Sequence, residues 1–167
     1  MKIDTKSTNQ DIEIPVIGLG TWGIGGFMET DTSQDEEAIQ SIKDAIEIGY
    51  THIDTAELYG AGHTDELIGE AIKGMDRSKL IITNKVFKTN LKYDDVITAC
   101  KTSLEKLQTD YIDIYLIHAP NPDVPLEETM KAMDYLVEKK LVKYIGVSNF
   151  SVAQMEEAQK YSTNKII

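Results

Sequence analysis

Apolar positions change their period several times along this chain. Short β-branched runs alternate with longer stretches in which apolar residues recur every three or four positions. Strands are predicted to start near Val16, Thr51, Leu80, Tyr111, Lys143 and Asn164. Between them lie helical faces. Ala38, Ile39, Ile42, Ala45 and Ile46 follow Ser33-x-x-Glu36, which reads as a capping box, and Gly49 is the stop. Leu67, Ile68, Ala71 and Ile72 mark a second helix ending at Gly74. Val96, Cys100, Ser103, Leu104 and Leu107 mark a third. Pro125 opens a fourth, with Glu127 and Glu128 suited to its positive end and Met130, Met133, Leu136 and Val137 as its apolar stripe. Ser151-x-x-Gln154 is a further capping box.

Strand starts recur about every 30 residues, the length of one βα unit, so the pattern predicts an α/β fold with a parallel sheet. The runs Leu80–Lys85, Ile112–Ile117 and Lys143–Val147 are nearly continuous in apolar character, as strands covered on both faces require. A closed (β/α)8 barrel takes about 250 residues. These 167 residues hold five units and the start of a sixth strand. An open doubly wound sheet could be finished at this length, whereas an eight-stranded barrel would be truncated. Residues 1–13 are poorly patterned, residues 14–167 read as one domain, and no linker divides them.

Composition narrows the function classes. Hydrophobic residues make up 41% of the chain, enough for a core and against a disordered acidic tail. The net charge of −11 argues against broad contact with nucleic acid or anionic lipid. Apolar runs are too short for a spanning helix, and Met1–Lys6 lacks an apolar signal segment. A single cysteine, Cys100, excludes an internal disulfide framework, and a reducing cytoplasm is the expected setting. Cys100 lies on an apolar helical stripe and reads as core. Met75, Met130, Met133 and Met155 read as packing. His52 reads as a strand residue and His63 as a loop residue, with no metal-ligand spacing. Gly23-Ile24-Gly25-Gly26 lacks the lysine and following helix of a phosphate loop.

Polar titratable residues gather where strands end. Asp54 closes the second strand, Lys85 the third and His118 the fourth, and Tyr59 lies in the loop after Asp54. In parallel α/β folds the carboxyl ends of the strands are where sites are built. Together the four suit proton delivery to a carbonyl. A tyrosine is an available but reluctant acid at neutral pH. A lysine cation beside it favours the phenolate, and a carboxylate beside the lysine keeps that cation charged and oriented. A neutral histidine can donate a hydrogen bond to the carbonyl oxygen.

Five motifs, in this order and spacing, resemble the aldo-keto reductase superfamily, nearest to its prokaryotic diketogulonate-reductase-like members. They are Gly18–Trp22, Gly49–Gly60, Thr83–Lys85, Asp110–His118 and Ile145–Phe150. The resemblance runs from about Ile14 to the C-terminus. It implies a (β/α)8 barrel of the TIM type, here truncated, that reduces aldehydes and ketones with NADPH or, less often, NADH. Carried over residue by residue, it makes Tyr59 the general acid, helped to release its proton by Lys85 and Asp54, with His118 orienting the substrate carbonyl. Ser148 and Asn149 would hold the nicotinamide carboxamide, and Thr21, Asp54 and Trp22 would lie beside the nicotinamide and the substrate pocket. The family's remaining cofactor residues, including the basic segment for the 2′-phosphate, lie beyond Ile167. The chain alone is therefore expected to bind cofactor weakly and to self-associate through open barrel edges. The alternative is a non-catalytic partial barrel, or an association module of the same family.

Overall fold

The computed structural model describes residues 3–8 and 12–167. Met1 and Lys2, which open the segment without an apolar run, and residues 9–11 lie outside the described residues. Five parallel strands form the central sheet: β3 (Leu19–Gly20), β4 (His52–Asp54), β5 (Ile81–Val86), β6 (Ile112–Ile117) and β7 (Val142–Val147). Helices α1 (Asp35–Ile48), α2 (His63–Ile72), α3 (Tyr93–Lys106) and α4 (Leu126–Glu138) fill the four crossovers, and α5 (Val152–Tyr161) follows β7. No helix among the described residues is long and apolar enough to cross a membrane.

Strand order decides between the two architectures. Neighbours run β3-β4-β5-β6-β7, strictly in chain order and all parallel. A doubly wound sheet reverses its order at a switch point, and none occurs here. Right-handed crossovers added always in one direction place every helix on one face, which is how a barrel wall is built. The fold is thus five βα units of a (β/α)8 wall.

Helices and strands share one apolar layer. Ile53, Ile82, Tyr115, Ile117 and Ile145 from the strands meet Ile42, Leu67, Ile68, Cys100, Leu104, Met130, Met133 and Leu136 from the helices, all buried. Gly49 ends α1 at φ 117°, with its N–H and that of Tyr50 returning to carbonyls of the last turn. At the start of α5, Ser151 and Gln154 form a reciprocal capping box.

Several expectations are corrected. The segment before residue 14 carries strand β1 (Thr5–Ser7), paired antiparallel with β2 (Glu13–Pro15). Val16 and Ile17 are about half exposed and lie in a bend, so β3 begins only at Leu19. Ser33 does not cap α1. Its N–H is taken by the Asp31 carboxylate, the helix starts at Asp35, and Gln34 at the cap makes no side-chain bond. No strand forms at Asn164. Its N–H and side-chain amide are held by Asp134, and contact with β7 starts later, where Ile167 N–H donates to Ile145 O at 3.1 Å. Met155 is 41% exposed and does not pack, unlike Met130 and Met133.

Candidate active site

Register sets the site. Asp54 pairs with Thr83, Thr83 with Ile114, and Ile114 with Tyr144, so these four point to one face of the sheet. Side chains alternate faces with period two. Lys85, two beyond Thr83, therefore shares that face, as do His118 and Ser148 in the loops just past β6 and β7. It is the face away from the helices, the interior of a barrel. The pattern read as strand-end chemistry thus becomes one spatial cluster at the carboxyl edge.

Lys85 is its hub. The ammonium is buried and donates to Asp54 Oδ1 at 2.6 Å and to the Thr55 carbonyl at 2.9 Å. It also lies 3.3 Å from the Tyr59 hydroxyl and 5.0 Å from the centre of its ring. Tyr59 opens a 3-10 turn over Tyr59–Gly62. That turn needs glycine at position 60, where φ is 57° and a Cβ would stand 2.5 Å from Gly25 O. The loop before α1 is stapled to it. Gly60 N–H donates to Phe27 O at 2.7 Å, Thr30 Oγ1 to Gly60 O at 3.0 Å, and Thr64 Oγ1 to Ile24 O at 2.5 Å. The glycines at 23, 25 and 26, all at positive φ, serve this folded loop.

Aromatic rings wall the cluster. Trp22 meets Tyr59 edge to face at 4.8 Å and Phe27 at 5.4 Å. The His118 ring lies 5.9 Å from Tyr59 and 5.9 Å from Phe87. Burial, helped by the Lys85 ammonium and opposed by Asp54, pulls the His118 imidazole below its ordinary pKa, so it is held neutral. Its Nδ1 is buried and has no hydrogen-bond partner among the described residues.

At the end of β7, Asn149 adopts φ 60°, and its Nδ2 donates to His118 O at 2.7 Å and to Ser148 Oγ at 3.1 Å. Thr21 is fully buried and donates through both N–H and hydroxyl to Asp54 O. It joins the ends of β3 and β4. His63 starts α2 rather than lying in a loop, and its ring bridges Asp35 at 2.8 Å and Glu66 at 2.9 Å. Cys100 is buried, and desolvation pushes its thiol up to about 12, as a core residue requires.

Two acids beside the site were not anticipated. Glu57 accepts hydrogen bonds from Phe87 N–H and Asn90 Nδ2, and burial raises its carboxyl. Asp65 is completely buried on α2. Its signal in the sequence is an acid on the apolar stripe, in step with Ile68 and Ile72.

Residues 16–167 match the sequence model of the Aldo/keto reductase family, and the chain belongs to that family. It is 40% identical over 161 residues to the aldo-keto reductase YhdN of Bacillus subtilis, covering 91% of this chain and 48% of that one. It is 38% identical over 147 residues to the methylglyoxal reductase YeaE of Escherichia coli, covering 88% and 50%. Among solved structures, the thermostable aldo-keto reductase Tm1743 in complex with the inhibitor epalrestat superposes with TM-score 0.95 at 52% identity, over 97% of this chain and 59% of that one. An aldo-keto reductase from Klebsiella pneumoniae in complex with NADPH gives TM-score 0.84 at 34% identity, over 98% and 55%. The chain spans about half the length of the curated relatives it matches.

Proposed function

We propose that this chain carries the proton-handling half of an NADPH-dependent reductase of small aldehydes and ketones. The observation behind the reading is the Lys85 ammonium, shared between Asp54 at 2.6 Å and the Tyr59 hydroxyl at 3.3 Å. Tyr59 gives its proton to the carbonyl oxygen of the substrate. The Lys85 cation stabilises the negative charge left on the phenol oxygen, and Asp54 keeps that cation in place. His118, neutral, has one ring N–H with which to orient the carbonyl oxygen. Trp22, about half exposed, and Phe87 supply apolar surface beside the reacting centre.

The polar groups at the end of β7 suit a nicotinamide. Ser148 offers its hydroxyl and Asn149 its amide oxygen, the Asn149 nitrogen being spent on His118 O and Ser148 Oγ, and an uncharged carboxamide needs both a donor and an acceptor. Thr21 fits less well, because its hydroxyl is already committed to Asp54 O. Its part is to hold the floor beside Asp54. When bound, the reduced nicotinamide supplies hydride to the carbonyl carbon. Relatives named methylglyoxal reductase and glyoxal reductase favour small oxoaldehydes as the substrate class.

The test is a chimera in which the remaining βα units of a relative follow Ile167. Consumption of NADPH with methylglyoxal, absent from the chain alone, is the expected result. A folded chimera without turnover on any aldehyde would overturn the reading. A second reading, a module acting by association, is favoured by exposed Val152, Met155 and Tyr161 on α5. Light scattering of the chain alone tests it, and a monodisperse monomer would end it.

A further inference from the structure

The layer between helices and sheet is mostly apolar, and among the described residues its buried acids are Asp113, which is paired with cations, and Asp65. Beneath the Lys85 ammonium, on the opposite face of the sheet, Asp65 of α2 is wholly buried among Thr55, Asn84 and Ser103. Thr55 Oγ1 donates to Asp65 Oδ1 at 2.8 Å, and Asn84 Nδ2 donates to Asp65 Oδ2 at 2.8 Å. Ser103 of α3 lies beside it. Thr55 and Asn84 are both donors to the carboxyl group, no cation among the described residues forms an ion pair with it, and Lys106 acts on it only through space. Burial raises the Asp65 carboxyl above its ordinary pKa, the mark of a costly polar group, and a leucine would fill the same layer without that cost.

The two side chains it grips are the ones that place Lys85. Thr55 supplies the carbonyl that accepts from Lys85 Nζ at 2.9 Å, and it follows Asp54 directly. Asn84 precedes Lys85, and its Oδ1 accepts the Lys85 N–H at 2.6 Å. One carboxylate therefore fastens the backbone on both sides of the ammonium without touching it. We infer that Asp65 is a positioning residue for the Lys85 ammonium, acting through Thr55 and Asn84. Its catalytic meaning rests on the reductase reading above, but the geometry it sets does not.

The test reads the ammonium in the 167-residue chain, with no turnover involved. Hydrogen exchange of the Lys85 ammonium is followed by nitrogen-15 NMR, and global stability by urea unfolding. Asp65→Asn leaves one accepting oxygen where the carboxyl group had two, so Thr55 and Asn84 can no longer each donate to an oxygen of their own, and exchange should quicken about tenfold or more. The swap Asp65→Asn with Asn84→Asp restores complementary partners: the amide introduced on α2 donates to the carboxylate introduced on β5, and that carboxylate still accepts Lys85 N–H. Exchange should then return to within about threefold of the parent. A purely structural role predicts that exchange follows the urea midpoint alone. Exchange unchanged in a folded Asp65→Asn chain, or recovered stability without recovered exchange in the swap, overturns the inference. If Asp65→Asn does not fold, Thr55→Val, which removes one of the two bonds and keeps the carbonyl, gives the deciding measurement. It should quicken exchange, and no change overturns the inference. In a working chimera, Asp65→Asn should lower kcat and shift its pH profile while the swap recovers both. A dead chimera with these exchange effects intact would count against the reductase reading alone.

Discussion

Two carboxylate–cation clusters sit at opposite ends of the same strands, and they are built to different ends. At the amino end, Asp113 is 5% exposed and takes both Arg77 at 2.6 Å and Lys143 at 2.9 Å. Its Oδ2 also accepts Ile82 N–H. Arg77 directs its remaining donors to Thr109, Leu80 O and Tyr111 O, and both cations cover the Tyr111 ring. At the carboxyl end, one ammonium serves Asp54, a carbonyl and a tyrosine hydroxyl, the Asp54 side chain is 37% exposed, and His118 Nδ1 has no partner among the described residues. At the amino end the buried carboxylate is fully engaged, and only the half-exposed Lys143 has donors to spare. The unsaturated cluster at the carboxyl end has groups left to exchange with a ligand, at a cost in stability.

The contrast can be broken first at Tyr59. In a completed barrel, Tyr59→Phe should cut turnover by about 10²–10⁴-fold with the melting temperature almost unchanged, since the hydroxyl acts mainly in the transition state. Steady-state aldehyde reduction beside thermal unfolding checks both halves. The reverse is expected at the other end. Asp113→Ala leaves the partly buried Arg77 without its ion pair and Ile82 N–H without its acceptor, and should cost about 3 kcal/mol in urea unfolding while turnover per folded molecule holds. A smaller effect separates the two ends by titration. Folded His118 binds its proton less tightly than the unfolded chain does, so the unfolded state holds more protons below the ordinary value of 6.5. Its contribution is complete above that value and is lost as pH falls through the folded value. Lys85→Met should move the His118 NMR titration upward, and Arg77→Met should leave it in place. The smallest effect belongs to neither end. The Lys131–Glu127 pair on α4 is exposed, and Lys131→Ala should change stability by about 0.5 kcal/mol or less.

The strand ends were legible because period-two alternation and βα spacing are local properties. They put Asp54, Lys85 and His118 at the right edge before any contact was known. Tyr59 also joined them, through a turn that Gly60 permits. Local signals failed where a distant partner decides. Ser33 looks like a cap, but Asp31 captures its N–H first. Three-residue strands such as β1 and β2 are too short to show alternation, and both depend on each other for pairing. Asp65 carries an acid's label and a core residue's environment, which only Thr55, Asn84 and Ser103 explain. Thr21 is expected beside the nicotinamide from the resemblance alone, yet its hydroxyl bonds inward, to Asp54 O.

Strand order has a consequence for assembly in time. Because each strand pairs only with those before and after it in the chain, every unit can dock as soon as it is made, without waiting for a distant segment. Asp54, Tyr59 and Lys85 meet once β5 joins β4, before His118 has been synthesised. On a ribosome the proton relay would close early, and the rim at Ser148 and Asn149 would come later. A substitution that slows β4–β5 pairing should then lengthen the exposure of the nascent sheet edge from an early stage, and one at β7 only from a later stage.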